Sequence, residues 1–428
     1  MAGIAGQWIE LAVLFSLLKR RNFLLGGSAL AGAGALAAWK YWPEQGLWNP
    51  CLAGLPRRLA QHELVQAAWE GLDAARVWDS HAHLLGAGDS ASGVWLNPRM
   101  SSVLSPADYA RRLFFLNAAC AEGSAGEGVD RAYVRRLLDL MDGMRPGAKL
   151  LLFAFERAYR EDGGRDDERT GFHVPDSYAR EIARAHPAVF EWVASIHPYR
   201  ADCAAALEAA KRGGARAVKW LPAAMGIDPA SPLCDRFYEA AAKQNLPVIS
   251  HAGLERAVIG GDAQDHGNPL RLRRALDAGV RVVVAHCASM GQDRDTDKGE
   301  NGPYVESFSL FRRLMQEKKY EKNLFGDISA MTQINRAGPA LVEVIEREEW
   351  HARLLNGSDY PLPGVMPVFS VDYLVSLGLL RESAAPVLKE IRSYNPLLFD
   401  FVLKRRLRSN GRALSNSVFE TRPFFENR

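Results

Sequence analysis

The chain has 428 residues, of which 48% are hydrophobic and 24% are charged, and its formal net charge is +3. This composition is typical of a globular protein with one large core. No block of basic residues indicates nucleic-acid binding, and no internal repeat indicates a solenoid.

Residues 1–45 resemble a twin-arginine export signal. Arg20 and Arg21 precede Phe23 and Leu24, and an Ala/Gly/Leu run continues to Ala38. Such signals direct proteins out of the cytoplasm, and the aromatic residues after Ala38 are typical of a membrane interface. We therefore expect a periplasmic or membrane-anchored protein, and in the second case this segment would associate with the membrane. A cytoplasmic protein is the alternative.

Eight short apolar runs alternate with stretches of helical spacing in the rest of the chain. The runs begin at Ala75, Leu150, Phe190, Ala215, Leu246, Arg281, Asn323 and Arg353. Strands that alternate with helices predict an α/β fold, a parallel (β/α)₈ TIM barrel with its active site at the C-terminal strand ends. The predicted barrel domain spans residues 46–410, and a tail follows at 411–428.

Three connecting segments carry further predictions. Residues 84–149 are too long for an ordinary βα loop and have helical patterns at 107–115 and 133–141, so they predict an insertion that shapes substrate choice. Asp176 is the predicted N-cap of the helix that follows it. The polar run from Gly291 to Pro303 is predicted to be a mobile loop over the barrel mouth.

Metal-type ligands stand where several of these runs end. His81 and His83 are two residues apart on the first predicted strand, so both side chains project to the same side and can bind one cation. In a barrel, six residues converge on one mouth: His81, His83, Lys219, His251, His286 and Asp359. Glu156, His197 and Asp327 also follow strands, and we expect them to form hydrogen bonds or salt bridges at the rim.

Five motifs carry a family resemblance. They are D-S-H-A-H at 79–83, A-V-K-W-L-P at 217–222, L-P-V-I-S-H-A-G at 246–253, V-V-V-A-H-C at 282–287 and N-G-S-D-Y-P at 356–361. With them the chain resembles the amidohydrolase superfamily, in its amidohydrolase-related branch of metal-dependent hydrolases and non-oxidative decarboxylases. The resemblance covers about residues 75–405.

The resemblance implies a role for each matching residue. The implied metal ligands are His81, His83, His251 and Asp359. Asp359 would also accept a proton during catalysis, and His286 would either bind a second metal or orient water and substrate. Lys219 occupies a position where some relatives carry a carboxylated lysine between two metals and others an unmodified one. Both states stay open.

The donor set indicates the metal. Three imidazoles and one carboxylate suit Zn²⁺, with Mn²⁺ or Fe²⁺ as second choices, and a second metal would require a carboxylated Lys219. Such a cation lowers the pKa of bound water to about 7 and polarises a carbonyl group. We therefore expect a hydrolase that cleaves a C–N or C–O bond of a small molecule. The alternatives are a metal-dependent decarboxylase and a non-catalytic membrane-associated binding protein.

Substrate identity and assembly are left open by the sequence. Arg157, Lys219 and Arg273 are candidates to pair with an acidic group on the substrate. The oligomeric state is not predicted. The chain has five cysteines, so at least one is unpaired, and no spacing names a disulfide.

Overall fold

The computed structural model describes residues 45–122, 126–259 and 261–426. The predicted export segment therefore lies outside the described residues, except for its last position. Within the described ranges, no helix combines the length and the apolarity needed to cross a membrane.

Eight parallel strands form the centre of the molecule. They are β1 Trp78–His83, β2 Lys149–Phe153, β3 Phe190–Val193, β4 Val218–Trp220, β5 Val248–His251, β6 Val282–Ala285, β7 Leu324–Asp327 and β8 Leu354–Leu355. One sheet has the order β1-β2-β3 and the other β8-β7-β6-β5-β4. Parallel bridges between Ala194 and Val218 and between Ala82 and Tyr360 join the two sheets. The predicted (β/α)₈ barrel is confirmed.

Sixteen α-helices lie in the described ranges. They are α1 Arg57–Ala60, α2 Glu63–Ala68, α3 Pro106–Ala118, α4 Val129–Asp142, α5 Asp176–Ala185, α6 Cys203–Arg212, α7 Pro222–Met225, α8 Asp235–Lys243, α9 Arg273–Asp277, α10 Ser307–Gln316, α11 Pro339–Glu346, α12 Val371–Ser376, α13 Ala385–Tyr394, α14 Pro396–Arg406, α15 Asn416–Phe419 and α16 Arg422–Glu426. The helices α3 and α4 form the predicted insertion between β1 and β2.

The barrel strands are apolar on both faces because each strand separates two cores. In β2, Leu150 and Leu152 pack in the layer between strands and helices, whereas Leu151 and Phe153 pack in the barrel interior. Successive side chains on a strand point to opposite faces, so the continuous apolar run fills both layers. Polar side chains are accommodated where the strands end.

The two chain ends of the described part are held to the rest of the fold by different contacts. A disulfide joins Cys51 to Cys120, just after α3. In the predicted tail, Thr421 donates a hydrogen bond to the carbonyl of Trp78, and Phe425 packs with Trp78 at the N-terminal end of β1. Residues 411–426 therefore cover the barrel end opposite the predicted site.

Two local predictions need correction. The N-cap of α5 is Pro175, and Asp176 is the first helical residue, whose carboxylate accepts a hydrogen bond from the Ser195 amide at 2.8 Å. The segment after β6 contains a two-stranded antiparallel ribbon, Gln292–Arg294 with Tyr304–Glu306, where a loop was expected.

Candidate metal centre

The first strand places two histidines at the C-terminal barrel end. His81 is fully buried, whereas the His83 side chain is 20% exposed, and their ring centroids are 5.3 Å apart. Both rings project from the same side of β1, as the alternation of side chains requires. The H-x-H spacing therefore produces the predicted pair.

Asp359 comes to these histidines from the segment after β8. Its amide donates to the His81 carbonyl at 2.7 Å, and its Oδ1 lies 3.1 Å from His83 Nε2 and 3.4 Å from His81 Nε2. The approach depends on Gly357, because a Cβ there would lie 2.5 Å from the His81 Cβ. The N-G-S-D sequence thus lets the end of β8 pass close to β1.

These three residues fit a divalent cation. One ligand atom from each of His81, His83 and Asp359 lies within 4.8 Å of the others, and two nitrogens with one carboxylate oxygen suit Zn²⁺, Mn²⁺ or Fe²⁺. A second such group within the described residues consists of His81, His286 and Asp327. His81 belongs to both groups and is the centre of the site.

Asp327, at the end of β7, was expected to form a bond at the barrel rim. It is buried, and its Oδ2 accepts a hydrogen bond from His81 Nδ1 at 2.9 Å. Its Oδ1 accepts from the His286 amide at 2.9 Å and from the Ser329 hydroxyl. This carboxylate therefore orients the site histidines, a role that the sequence reasoning missed although its strand-end position was a signal.

His286 follows β6 in a left-handed backbone conformation, with a φ of +56°. Its Nδ1 lies 2.9 Å from the Ser329 carbonyl, which leaves Nε2 facing Asp359 Oδ2 at 3.8 Å. The His81 and His286 ring centroids are 5.1 Å apart. His286 thus lies inside the site, next to Asp359, the carboxylate for which the family resemblance implies a role as proton acceptor.

His251, at the end of β5, joins the same group of rings but has a different carboxylate partner. Its ring centroid is 5.3 Å from that of His286, and its Nε2 lies 3.2 Å from Glu255 Oε2. Both His251 and Glu255 are buried. Carboxylates at one imidazole nitrogen commonly orient the other toward a metal. Glu255 carries no strand-end signal and was not predicted.

Lys219 lies at the centre of β4 with its amine inside the barrel. Its Nζ lies 3.1 Å from His81 Nε2 and 5.2 Å from the Phe153 ring centroid. Burial lowers the pKa of Lys219 to about 8, although Asp327 and Asp359 act to raise it. The amine therefore contacts the same His81 nitrogen that a metal would use.

Burial and local charge set the protonation of the cluster. Burial lowers the pKa of His81, His251 and His286 well below the ordinary histidine value. Burial acts to raise the pKa of Asp359, but His81, His83 and Lys219 outweigh it, so the pKa is lowered. Neutral imidazoles around an ionised carboxylate are the protonation states that metal binding requires.

Two other strand-end residues lie away from this cluster. Glu156 accepts a hydrogen bond from Arg200 at 2.5 Å, and His197 lies 3.0 Å from the Met225 carbonyl. Both predictions of structural bonding are confirmed. Glu156 also lines a cavity of about 340 Å³ between α5 and α6. None of the six predicted residues of the barrel mouth lines this cavity.

Three solved structures are similar to the chain. An uncharacterised TIM-barrel protein of Bordetella bronchiseptica is 16% identical, with a TM-score of 0.43 over 70% of this chain and 90% of that one. A probable 2-pyrone-4,6-dicarboxylic acid hydrolase of Acinetobacter baumannii is 14% identical, with a TM-score of 0.40 over 74% and 92%. A 5-carboxyvanillate decarboxylase of Novosphingobium aromaticivorans, solved with bound manganese, is 12% identical, with a TM-score of 0.36 over 62% and 80%.

The sequence itself supports the family assignment. None of the curated proteins matches the chain. A family model described as amidohydrolase matches residues 78–368, which is more than half of the chain and includes the segments that carry every predicted site residue. The chain belongs to the amidohydrolase family of metal-dependent enzymes, which includes hydrolases and decarboxylases and acts on small molecules.

Proposed function

We propose that this protein is a metal-dependent hydrolase that cleaves a C–N or C–O bond of an amide, ester or lactone. The observation that carries the proposal is the convergence of His81, His83 and Asp359 at one point of the barrel mouth. With His251 as a further ligand, these residues would hold Zn²⁺, or Mn²⁺ or Fe²⁺. A bound cation of this kind supplies Lewis-acid polarisation of the carbonyl and activates a water.

Asp359 is the proposed general base. It is buried, its lowered pKa keeps it ionised at neutral pH, and its Oδ2 faces Nε2 of His286 at 3.8 Å. An ionised carboxylate among neutral imidazoles can accept the proton of an attacking water. His286, neutral and held through Nδ1 by the Ser329 carbonyl, would orient that water and the substrate.

The chemical state of Lys219 distinguishes a site for one metal from a site for two. As an unmodified amine it donates to His81 Nε2, and a metal bound to that nitrogen would displace this hydrogen bond. As a carbamate it would instead offer oxygen ligands beside His81 and support a second metal. We propose the one-metal site, with two metals as the outcome if Lys219 is carboxylated.

The same geometry favours one alternative reaction, a metal-dependent non-oxidative decarboxylation. The Lys219 amine and His286 are two buried nitrogen groups beside the ligand cluster. Either could support protonation of the carbon that loses CO₂. This reaction consumes no external water, so its products distinguish it from hydrolysis.

Substrate screening tests the proposal. The full chain is assayed with a panel of esters, lactones, amides and aromatic carboxylic acids, and both acid release and CO₂ release are measured. We expect turnover of at least one ester, lactone or amide, and Asp359→Asn should reduce kcat by about 10²- to 10⁴-fold. CO₂ release without hydrolysis would establish the decarboxylase. No turnover, with ligand binding retained, would favour the non-catalytic alternative.

We also propose that the protein works outside the cytoplasm, in the periplasm or at the membrane. The Cys51–Cys120 disulfide supports this location, because disulfides persist mainly in oxidising compartments. The twin-arginine-like segment at Arg20 and Arg21 is a second, independent argument. Cell fractionation tests it: Arg20→Lys with Arg21→Lys should retain the protein in the cytoplasm. Unchanged distribution of this double variant would contradict the proposal.

A further inference from the structure

Arg336 is a buried cation beside the proposed metal site. It lies after β7, close to the start of α11, and only 8% of it is exposed. The backbone holds it through a hydrogen bond from its amide to the Gln333 carbonyl at 2.9 Å. The sequence reasoning did not select it, because it stands nine positions beyond Asp327 in a loop without a motif.

The guanidinium of Arg336 is poorly satisfied by the protein. One nitrogen lies 3.3 Å from Ser289 Oγ, and the buried Nε has no hydrogen-bond partner. Among the described residues, no carboxylate oxygen lies within 4.0 Å of this side chain. Buried charges are normally paired, since desolvating an isolated ion costs several kcal/mol. An unpaired arginine at this depth therefore requires an explanation.

Arg336 contacts the chain segment that carries His286. Ser289, its hydroxyl partner, lies three residues after His286 and donates its amide to the His286 carbonyl at 2.9 Å. The charge of Arg336 contributes to the lowered pKa of His251 and of His286, after the larger effect of burial. The guanidinium therefore lies beside the segment that carries His286.

The three acids whose charges act on Arg336, which are Asp359, Glu255 and Asp327, already have other partners. Asp327 is bonded to His81, Asp359 lies against His83, and Glu255 lies against His251. The arginines that the sequence offered for a substrate acid are also paired within the protein: Arg157 with Asp167 at 3.0 Å, and Arg273 with Glu317 at 2.6 Å. Arg336, in contrast, has no carboxylate partner among the described residues.

We propose that Arg336 binds a carboxylate of the substrate and thereby selects small organic acids. This inference rests on the proposed function, because it names the substrate class for that same site. The planar N–H fork of arginine matches a carboxylate with two parallel hydrogen bonds. A single guanidinium balances one carboxylate group. The substrate acid supplies the anion that the protein itself does not.

Calorimetry with simple acids tests the inference. The probes are malonate, succinate, glutarate and adipate, each compared with its neutral diamide, on the full chain after its metal content has been measured. We expect at least one dicarboxylate to bind, and Arg336→Met to weaken it by about 10- to 100-fold, the usual loss for a charged hydrogen-bonded pair. Arg336→Lys should restore part of the binding. Diamide binding should not change.

Two controls separate this role from a structural one. Arg157→Met removes an arginine already paired with Asp167 and should leave dicarboxylate binding unchanged. Arg336→Met should keep or raise the Tm of the ligand-free protein, because it removes an unpaired buried charge. A lower Tm would identify a structural residue and overturn the inference.

Three further results would overturn it: no dicarboxylate binding by the wild type, equal binding by Arg336→Met, or equal losses for acids and diamides. Calorimetry measures binding and not turnover. An absence of hydrolysis would therefore count against the proposed function and not against the role of Arg336. Conversely, hydrolysis of neutral esters by both wild type and Arg336→Met would support the proposed function and reject the role of Arg336.

Discussion

Nδ1 of His81 lies 2.9 Å from Oδ2 of Asp327, and both side chains are buried. Because the Nδ1–H donates to the carboxylate, the lone pair of the neutral ring is on Nε2, which faces Asp359 at 3.4 Å. One carboxylate at the end of β7 therefore fixes the tautomer and the orientation of a proposed ligand on β1. Carboxylate–histidine pairs of this kind commonly support metal ligands.

Asp327→Asn should weaken metal binding without removing a ligand. The amide cannot accept from His81 and Ser329 as the carboxylate does, and loss of such a partner typically costs about 10- to 100-fold in metal affinity. Competition with a fluorescent chelator measures the affinity. Asp139→Asn on the exposed side of α4 is the control and should have no effect. Unchanged affinity in Asp327→Asn would show that His81 needs no anchor.

Metal content per chain distinguishes the two states of Lys219. Plasma mass spectrometry of the full chain, purified without chelators or added metal, should give about one divalent metal per chain, and zinc is expected. His83→Ala should remove most of it. Two metals per chain, reduced to one in Lys219→Ala, would instead establish a carboxylated lysine. No metal, even after reconstitution, would reject the catalytic proposal.

The Cys51–Cys120 disulfide should stabilise the fold. It closes a loop of 69 residues in sequence, and cross-links of this kind typically contribute about 2–4 kcal/mol to the free energy of unfolding. Urea denaturation should show that reductant lowers the stability of the wild type by this amount. The double variant Cys51→Ser/Cys120→Ser should have the lower stability with and without reductant. Five titratable thiols in the unfolded, unreduced wild type would contradict the bond.

Asp176 should make stability depend on pH. Burial raises the pKa of Asp176 to about 7, against the hydrogen bond from the Ser195 amide, which lowers it. The folded state then holds a proton that the unfolded state releases near pH 4. The stabilisation is complete below that pH and is lost as the pH rises through about 7, with a slope of at most about 1.4 kcal/mol per pH unit.

Asp176→Asn tests this dependence, because the amide resembles the protonated acid and keeps an oxygen for the Ser195 amide. Urea denaturation from pH 5 to pH 8 should show the variant gaining stability relative to the wild type as the pH rises. Asp139→Asn serves again as the exposed control and should keep a constant difference. A constant difference for Asp176→Asn as well would place its folded pKa at the ordinary value.

Much of the fold could be predicted from the sequence because strand periodicity and barrel topology are local and repetitive. Leu150 to Phe153 is apolar without interruption, which indicates a strand buried on both faces, and eight such runs separated by helical stretches leave few alternatives. The helices α3 and α4 were likewise visible as periodic patterns. The N-cap of α5 could not be predicted in this way, because the Asp176 carboxylate accepts a hydrogen bond from the Ser195 amide, on the segment after β3, and does not cap the helix.

For the site, the sequence by itself determined which strand ends carry side chains of the metal-binding type: H-x-H spacing puts His81 and His83 on one side of β1, whatever surrounds them. Only the tertiary structure decided which residues those side chains contact. Asp327, Glu255 and Arg336 take their roles from the surroundings that the fold creates. His81 and Asp327 are 246 residues apart in sequence, and among the described residues Arg336 has no carboxylate partner. Burial and pairing are properties of the folded chain, because they depend on which distant groups share the same space.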